Sequence, residues 1–364
     1  MLSISTKTLA LAAISVGSQF AHAAYTLNTT IAGSSFLDHF TFFTQADPTN
    51  GFVQYVNQAD ATAGSLVGLR NHAHANNSVY IGVDHNTTLA AAGPGRKSVR
   101  LTGKQTFTHG LVTLDVYHAP TGCGTWPALW MVNPSGTYPG TTGEIDIYEV
   151  VNNATQNSMT LHTNQGCTIT SPGATAMSGA IRTPDCWVDA PGQGNSGCSI
   201  TAPSALQVSS AAVAAAGANP AIANRTYATA GTAFNKQGGG VFALDWTPDL
   251  IDVYFFPRAL VPTELTVGAA LNGTAKTADP AQWKAQGFLP VASFSGCSFD
   301  QHISDLALVV DTDFCGAWVD GVWGSSGCAA STGAATCSAY VAANPKAFEH
   351  AHWLIGGVEM WSKA

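Results

Sequence analysis

Apolar and polar side chains alternate along much of this chain in runs of five to seven residues: FVQYV at 52–56, SVYIGV at 78–83, LVTLDV at 111–116, VFALDW at 241–246 and LIDVYFF at 250–256. A period of two is that of a strand with one buried face. Gly, Pro, Asn or Asp bounds each run, so the pattern predicts short antiparallel strands joined by turns, packed as a sandwich or barrel. One stretch departs from it. Residues 203–223 are rich in Ala and Ser, with Gly217 and Pro220 near the end, and read as a short helix or a loose surface insertion without a chemical role. No internal repeat is evident. The expected architecture is all-β: one large sandwich domain over 24–364.

Composition narrows the function classes. A formal charge of −8 leaves no basic stripe for nucleic acid. With only 10% charged residues, long solvated helices laced with ion pairs are also excluded. The N-terminal residues 1–23 combine Lys7, an apolar stretch at 9–16 and the small-x-small ending Ala21-His22-Ala23, the form of a secretory signal. No later segment has the length and apolarity of a membrane span, and the final residues lack the hydrophobic tail of a lipid-anchor signal. The expected product is a secreted, soluble monomer. Eight cysteines (123, 167, 186, 198, 297, 315, 328 and 337) fit that compartment as disulfides, because no CxxC pair points to zinc. Their pairing stays open. Glycosylation sequons begin at Asn28, Asn76, Asn86, Asn153, Asn224 and Asn272.

The candidate chemistry sits in GEIDIYEV at 143–150. In a regular strand Glu144 and Asp146 share a face and Glu149 takes the other. A single β-bulge between Asp146 and Glu149 brings all three together. Two glutamates four strand steps apart, leaning toward each other, reach the separation of about 5–5.5 Å that a retaining glycosidase needs. An exposed acidic strand face is the plain alternative, and such clusters also bind calcium. Trp126 and Trp130, on one face of an upstream strand, and Tyr138 in a Gly/Pro-rich loop supply flat apolar surface for sugar rings. Core tryptophans are the commoner outcome. His162 alternates with Leu161 downstream.

EIDIYE at 144–149 resembles the bulged catalytic signature of glycoside hydrolase family 16. DPTNGFV at 47–53, GRKSVR at 95–100, CGTWPA at 123–128, TLHT at 160–163, GGGVF at 238–242, FFPR at 255–258 and FCGAW at 314–318 resemble its secreted fungal laminarinase-like members, in order over nearly the whole chain. The resemblance implies a concanavalin A-like β-jelly-roll sandwich of two antiparallel sheets with a concave cleft. It further implies endo-hydrolysis of β-1,3-glucan, and in some members of mixed β-1,3/1,4-glucan. It makes Glu144 the nucleophile, Glu149 the acid/base and Asp146 their assistant, and it puts His162 beside the acid/base. Trp126, Trp130, Tyr138 and Trp318 become sugar contacts. No cofactor or catalytic metal is implied; a structural calcium, which the family can carry away from the cleft, has no legible ligand set here. Two features depart from the pattern: Tyr138-Pro139 stands where relatives commonly have Trp-Pro, and the Ala-rich insertion and the Asn153 sequon are extra. His72/His74 and His350/His352 have metal-like spacing but no third ligand, and read as surface histidines. Gly238-Gly239-Gly240 precedes a strand and is no phosphate loop. A wall-glucan transglycosylase and a non-catalytic glucan-binding protein are the alternatives. The second sits poorly with two intact glutamates.

Overall fold

The computed structural model describes residues 24–72, 75–171, 176–223, 225–268 and 275–363. The expected signal at 1–23, His74 and the sequons at Asn224 and Asn272 lie outside them. Two large antiparallel sheets face each other. One has nine strands, with Trp353–Lys363, Gly110–His118, Gly240–Trp246 and Ile251–Pro257 at its centre. The other has eight, ordered Ala180–Thr183, Cys198–Thr201, Ser158–His162, Glu144–Glu149, Thr125–Val132, Leu306–Phe314, Arg100–Phe107 and Phe40–Phe42. The alternating runs became strands as the pattern predicts. An exception in partner is 52–56, whose Val53–Tyr55 pairs in parallel with Arg96–Ser98 outside both sheets.

Tyr148 shows how the sheets meet. It leaves the eight-stranded sheet and packs edge-on against Phe242 and Trp353 of the other, at centroid distances of 5.6 and 5.4 Å. Leu129, Met131, Ile145, Met159 and Leu161 fill the same layer. Leu129 and Met131 of one strand flanking the carboxylates and Met159 and Leu161 of the other point inward, which leaves Trp130, Thr160 and His162 on the opposite face with the carboxylates.

The Ala-rich insertion holds a helix at Ser210–Ala215, started by Ser209, whose hydroxyl accepts from the Ala212 N–H. The three helices Gly316–Gly321, Cys328–Thr332 and Cys337–Ala343 form a cap that the strand periodicity does not reveal. It closes a second small core around Phe314, Val319, Trp323, Val341 and Phe348. Helices this short have too few turns to write an apolar stripe. Covalent bonds hold them instead: Cys123–Cys328 and Cys315–Cys337 tie the cap to the ends of two central strands. Cys167–Cys297 and Cys186–Cys198 complete the four bridges. The Arg96 guanidinium, fully buried, donates to the carbonyls of Val341, Asp84 and Thr87 and pins the cap from below.

Candidate active site

Strand register decides where the three carboxylates point. Glu144, Asp146 and Glu149 lie opposite His162, Thr160 and Ser158 on one side, and opposite Val132, Trp130 and Ala128 on the other. Both neighbours advance four residues while this strand advances five, so a one-residue bulge sits between Asp146 and Glu149. The even count on the neighbours keeps all three carboxylates on one face, with the glutamates four steps apart, about 13 Å along the sheet. Ile145, Ile147 and Tyr148 point into the core. Gly143 turns the chain into the strand at φ +61°, where a Cβ would press on the carbonyls of His302 and His162. At the bulge, the Asn157 side chain donates to the Ile147 carbonyl (2.8 Å) and accepts from the Glu149 N–H (2.9 Å).

Burial and mutual charge govern the trio. Burial pushes Glu144 well above the usual carboxylate range; the Asp146 charge adds to this and Arg100 pulls it back. Glu149 is also pushed well up, first by burial and then by Asp146, while the Trp126 N–H and His162 pull it down. The two glutamates are each held protonated to pH values where a free glutamate has lost its proton. His162 Nε2 stands 3.4 Å from Asp146 Oδ2 and 3.8 Å from Glu144 Oε1. Burial alone lowers its basicity, but the bond and charge from Asp146 outweigh that and its pKa is raised. The donor atoms of Glu144, Asp146 and His162 lie within 4.8 Å of one another, close enough to surround one cation. The family resemblance puts His162 beside the acid/base; the register sets it directly across from Glu144, at the end of the neighbouring strand, and its charge also reaches Glu149.

The aromatic residues divide by role. Trp126 and Trp130 do share a face, both half-buried. The Trp126 indole N–H donates to Glu149 Oε1 at 2.7 Å. That oxygen accepts from the indole, which leaves Oε2 to carry a proton when the carboxyl is protonated. Trp318 packs edge-on against Trp126 at 5.7 Å and touches the site through it. Such a pair contributes about 0.5–1.5 kcal/mol beyond burial. Trp130 donates to Asp311 (3.3 Å) beneath the Arg100 guanidinium, which lies 4.8 Å from its ring. Burial drives the Asp311 pKa up to about 7, with Arg100 and Trp130 opposing. Tyr138 is 45% exposed, and its hydroxyl donates to Asn195 at 3.2 Å across the His162 side of the cleft.

Arg100, Asp311, Asn157 and Asn195 escaped the sequence reading. Arg100 and Asp311 lie in strands whose apolar pattern gives no hint of what the polar positions face. Asn157 and Asn195 flank strands and act across the chain fold. Outside the cleft, His352 is not a surface residue: it is half-buried and stacked on His118, with ring centroids 4.1 Å apart. Strand Trp353–Lys363 begins beside it and carries it inward, and burial, then His118, lowers its pKa to about 3. His350 is exposed.

Comparison with known proteins places this geometry. A family model described as the XgeA-like catalytic domain of glycoside hydrolase family 16 matches residues 40–218 and 205–361. An endo-1,3(4)-β-glucanase of Arthroderma benhamiae is 36% identical over 361 residues, covering 98% of this chain and 69% of that protein. Endo-1,3(4)-β-glucanase xgeA of Emericella nidulans is 35% identical over 94% of this chain, which spans 48% of its length. Laminarinase 16A of Phanerochaete chrysosporium, solved with 6-O-glucosyl-laminaritriose in both donor and acceptor sites, superposes with a TM-score of 0.76. It is 33% identical, and the match covers 93% of this chain and all of that one. An elongating family 16 β-1,3-glucosyltransferase does so at 0.75, with 34% identity over the same shares. The bulged strand, the sandwich and nearly full-length similarity agree, and the chain belongs to the XgeA-like group of glycoside hydrolase family 16.

Proposed function

We propose that the chain is a secreted, retaining endo-1,3(4)-β-glucanase that cleaves laminarin-type β-1,3-glucan, and mixed β-1,3/1,4-glucan, by double displacement. The observation that carries this is the bulge, which sets Glu144, Asp146 and Glu149 on one face with Trp126 bonded to Glu149. In the first step the Glu144 carboxylate bonds to C1 as the C1–O bond breaks, and the Glu149 proton passes to the departing oxygen. In the second, water gives its proton to Glu149 and attacks C1, freeing Glu144 with the β-configuration restored. Both steps use side chains of one chain, consistent with a monomer and a single catalytic unit beginning at Ala24. Four disulfides require an oxidising compartment, which supports secretion. Incubation with laminarin, reading product size and anomeric form, tests the proposal.

Two substitutions test the charge balance at the acid/base in opposite directions. The Asp146 charge raises the Glu149 pKa, so Asp146→Asn lowers it; the acid loses its proton earlier and the alkaline limb of the kcat/KM profile moves to lower pH. The Trp126 N–H lowers the Glu149 pKa, so Trp126→Phe moves the same limb to higher pH. A pH profile of each purified variant checks both signs.

Transfer of the glycosyl group to another glucan is the second reading, favoured by the likeness to the elongating glucosyltransferase. It differs only in the nucleophile of the second step. Products longer than the starting oligosaccharide distinguish it from hydrolysis.

A further inference from the structure

A bulge has a cost: the extra residue loses its ladder partners, and a buried peptide group left unpaired is strongly unfavourable. Here the extra residue falls where Glu149 must be aimed. Asn157 fills the gap. Its amide N–H₂ donates to the Ile147 carbonyl at 2.8 Å and its amide oxygen accepts from the Glu149 N–H at 2.9 Å. The carboxamide thus stands in for the peptide group that a regular neighbouring strand would present. One partner only accepts and the other only donates, so the orientation of the amide is fixed. Asn157 is fully buried, and its own backbone is held at both ends. Its N–H donates to Thr229 Oγ1 (3.1 Å) and its carbonyl accepts from the Ala202 N–H (2.9 Å). The next residue, Ser158, begins the strand that pairs with Glu149.

We infer that Asn157 is the positioning residue of the acid/base: by supplying one donor and one acceptor to the bulge, it sets the angle at which Glu149 enters the cleft. Glu144 precedes the bulge and is held by regular pairing to His162 and Val132, so the effect falls on one glutamate and spares the other. The inference rests on the reading of Glu149 as acid/base and adds to it a residue that touches neither sugar nor carboxylate.

The test compares Asn157→Asp, which keeps the acceptor and loses the donor, with Asn157→Leu, which loses both, and with Glu149→Ala as reference. The substrates are laminarin and 2,4-dinitrophenyl β-laminaribioside. The dinitrophenolate leaves without a proton, so its kcat/KM reports nucleophilic attack alone. Azide then replaces water at the glycosyl-enzyme without needing a general base, releasing β-glycosyl azide and free Glu144. Trapping with a 2-deoxy-2-fluoro laminaribiosyl fluoride, counted by mass spectrometry, gives the fraction of competent enzyme and corrects for loss of folding. Both variants are expected to lose about tenfold or more in kcat/KM on laminarin, since small misplacements of catalytic groups are that costly. They should keep kcat/KM on the dinitrophenyl substrate within about twofold, and kcat should rise with azide. Equal losses on both substrates without an azide effect, or unchanged laminarin activity in both variants, overturn the inference. If Glu149→Ala itself shows neither leaving-group dependence nor azide rescue, the reading of Glu149 fails, and that result is separate from any for Asn157.

Discussion

Glu144→Gln is expected to leave laminarin intact, with kcat/KM reduced on the order of 10⁴-fold or more. The amide matches the carboxylate in shape but lacks the charge to bond C1, so the covalent intermediate never forms. Unlike a change at the acid, this loss extends to substrates with good leaving groups, because nucleophilic attack is common to both. The fold should survive: Glu144 enters its strand through backbone pairing to His162 and Val132, and among the described residues its side chain forms one ion pair, the 3.8 Å contact to His162. Removing a carboxylate that burial already strains relieves the site. Kinetics on laminarin and on an aryl laminaribioside, beside a melting curve, check the prediction. Activity within tenfold of the wild type on either substrate removes Glu144 from the nucleophile's role.

Glu149→Ala is expected to lose about 10²–10⁴-fold on laminarin, the contribution of a positioned general acid. On an aryl substrate whose leaving group needs no proton, the first step should be nearly normal and the second slow, so the glycosyl-enzyme accumulates. The contrast follows from geometry. Trp126 occupies Glu149 Oε1, leaving the other oxygen to carry the proton that a poor leaving group requires. A burst of dinitrophenolate followed by slow turnover is the kinetic signature. A uniform loss on both substrates contradicts the assignment.

The common face of the three carboxylates was legible because the bulge is written as a count. Glu144 and Asp146 are spaced by two and Glu149 by an odd three, so a regular strand cannot present them together, and the intervening Ile145, Ile147 and Tyr148 demand the core. Those two demands are met at once only by one extra residue. The strands were legible for the related reason that apolar alternation is enforced by burial on one face. What stayed hidden is whatever depends on contacts distant in sequence. The Trp126 bond to Glu149 spans 23 residues and that of Trp130 to Asp311 spans 181. A tryptophan read as surface for a sugar gives no sign in the sequence of the partner its N–H takes. The helical cap was hidden because its short helices are held by disulfides to Cys123 and Cys315, and the spacing of eight cysteines carries no pairing. That His162 also stands across from Glu144 was hidden because the register between two strands, set by the bulge itself, is not contained in either strand alone.

Time-resolved proton NMR of the purified enzyme on laminarin tests the central claim most directly. Double displacement at Glu144 predicts that β-anomeric reducing ends appear first and only later equilibrate with the α form, with oligosaccharides of several lengths showing endo cleavage. Reducing ends that appear first as the α-anomer, or laminarin left uncut by folded enzyme, contradict the account.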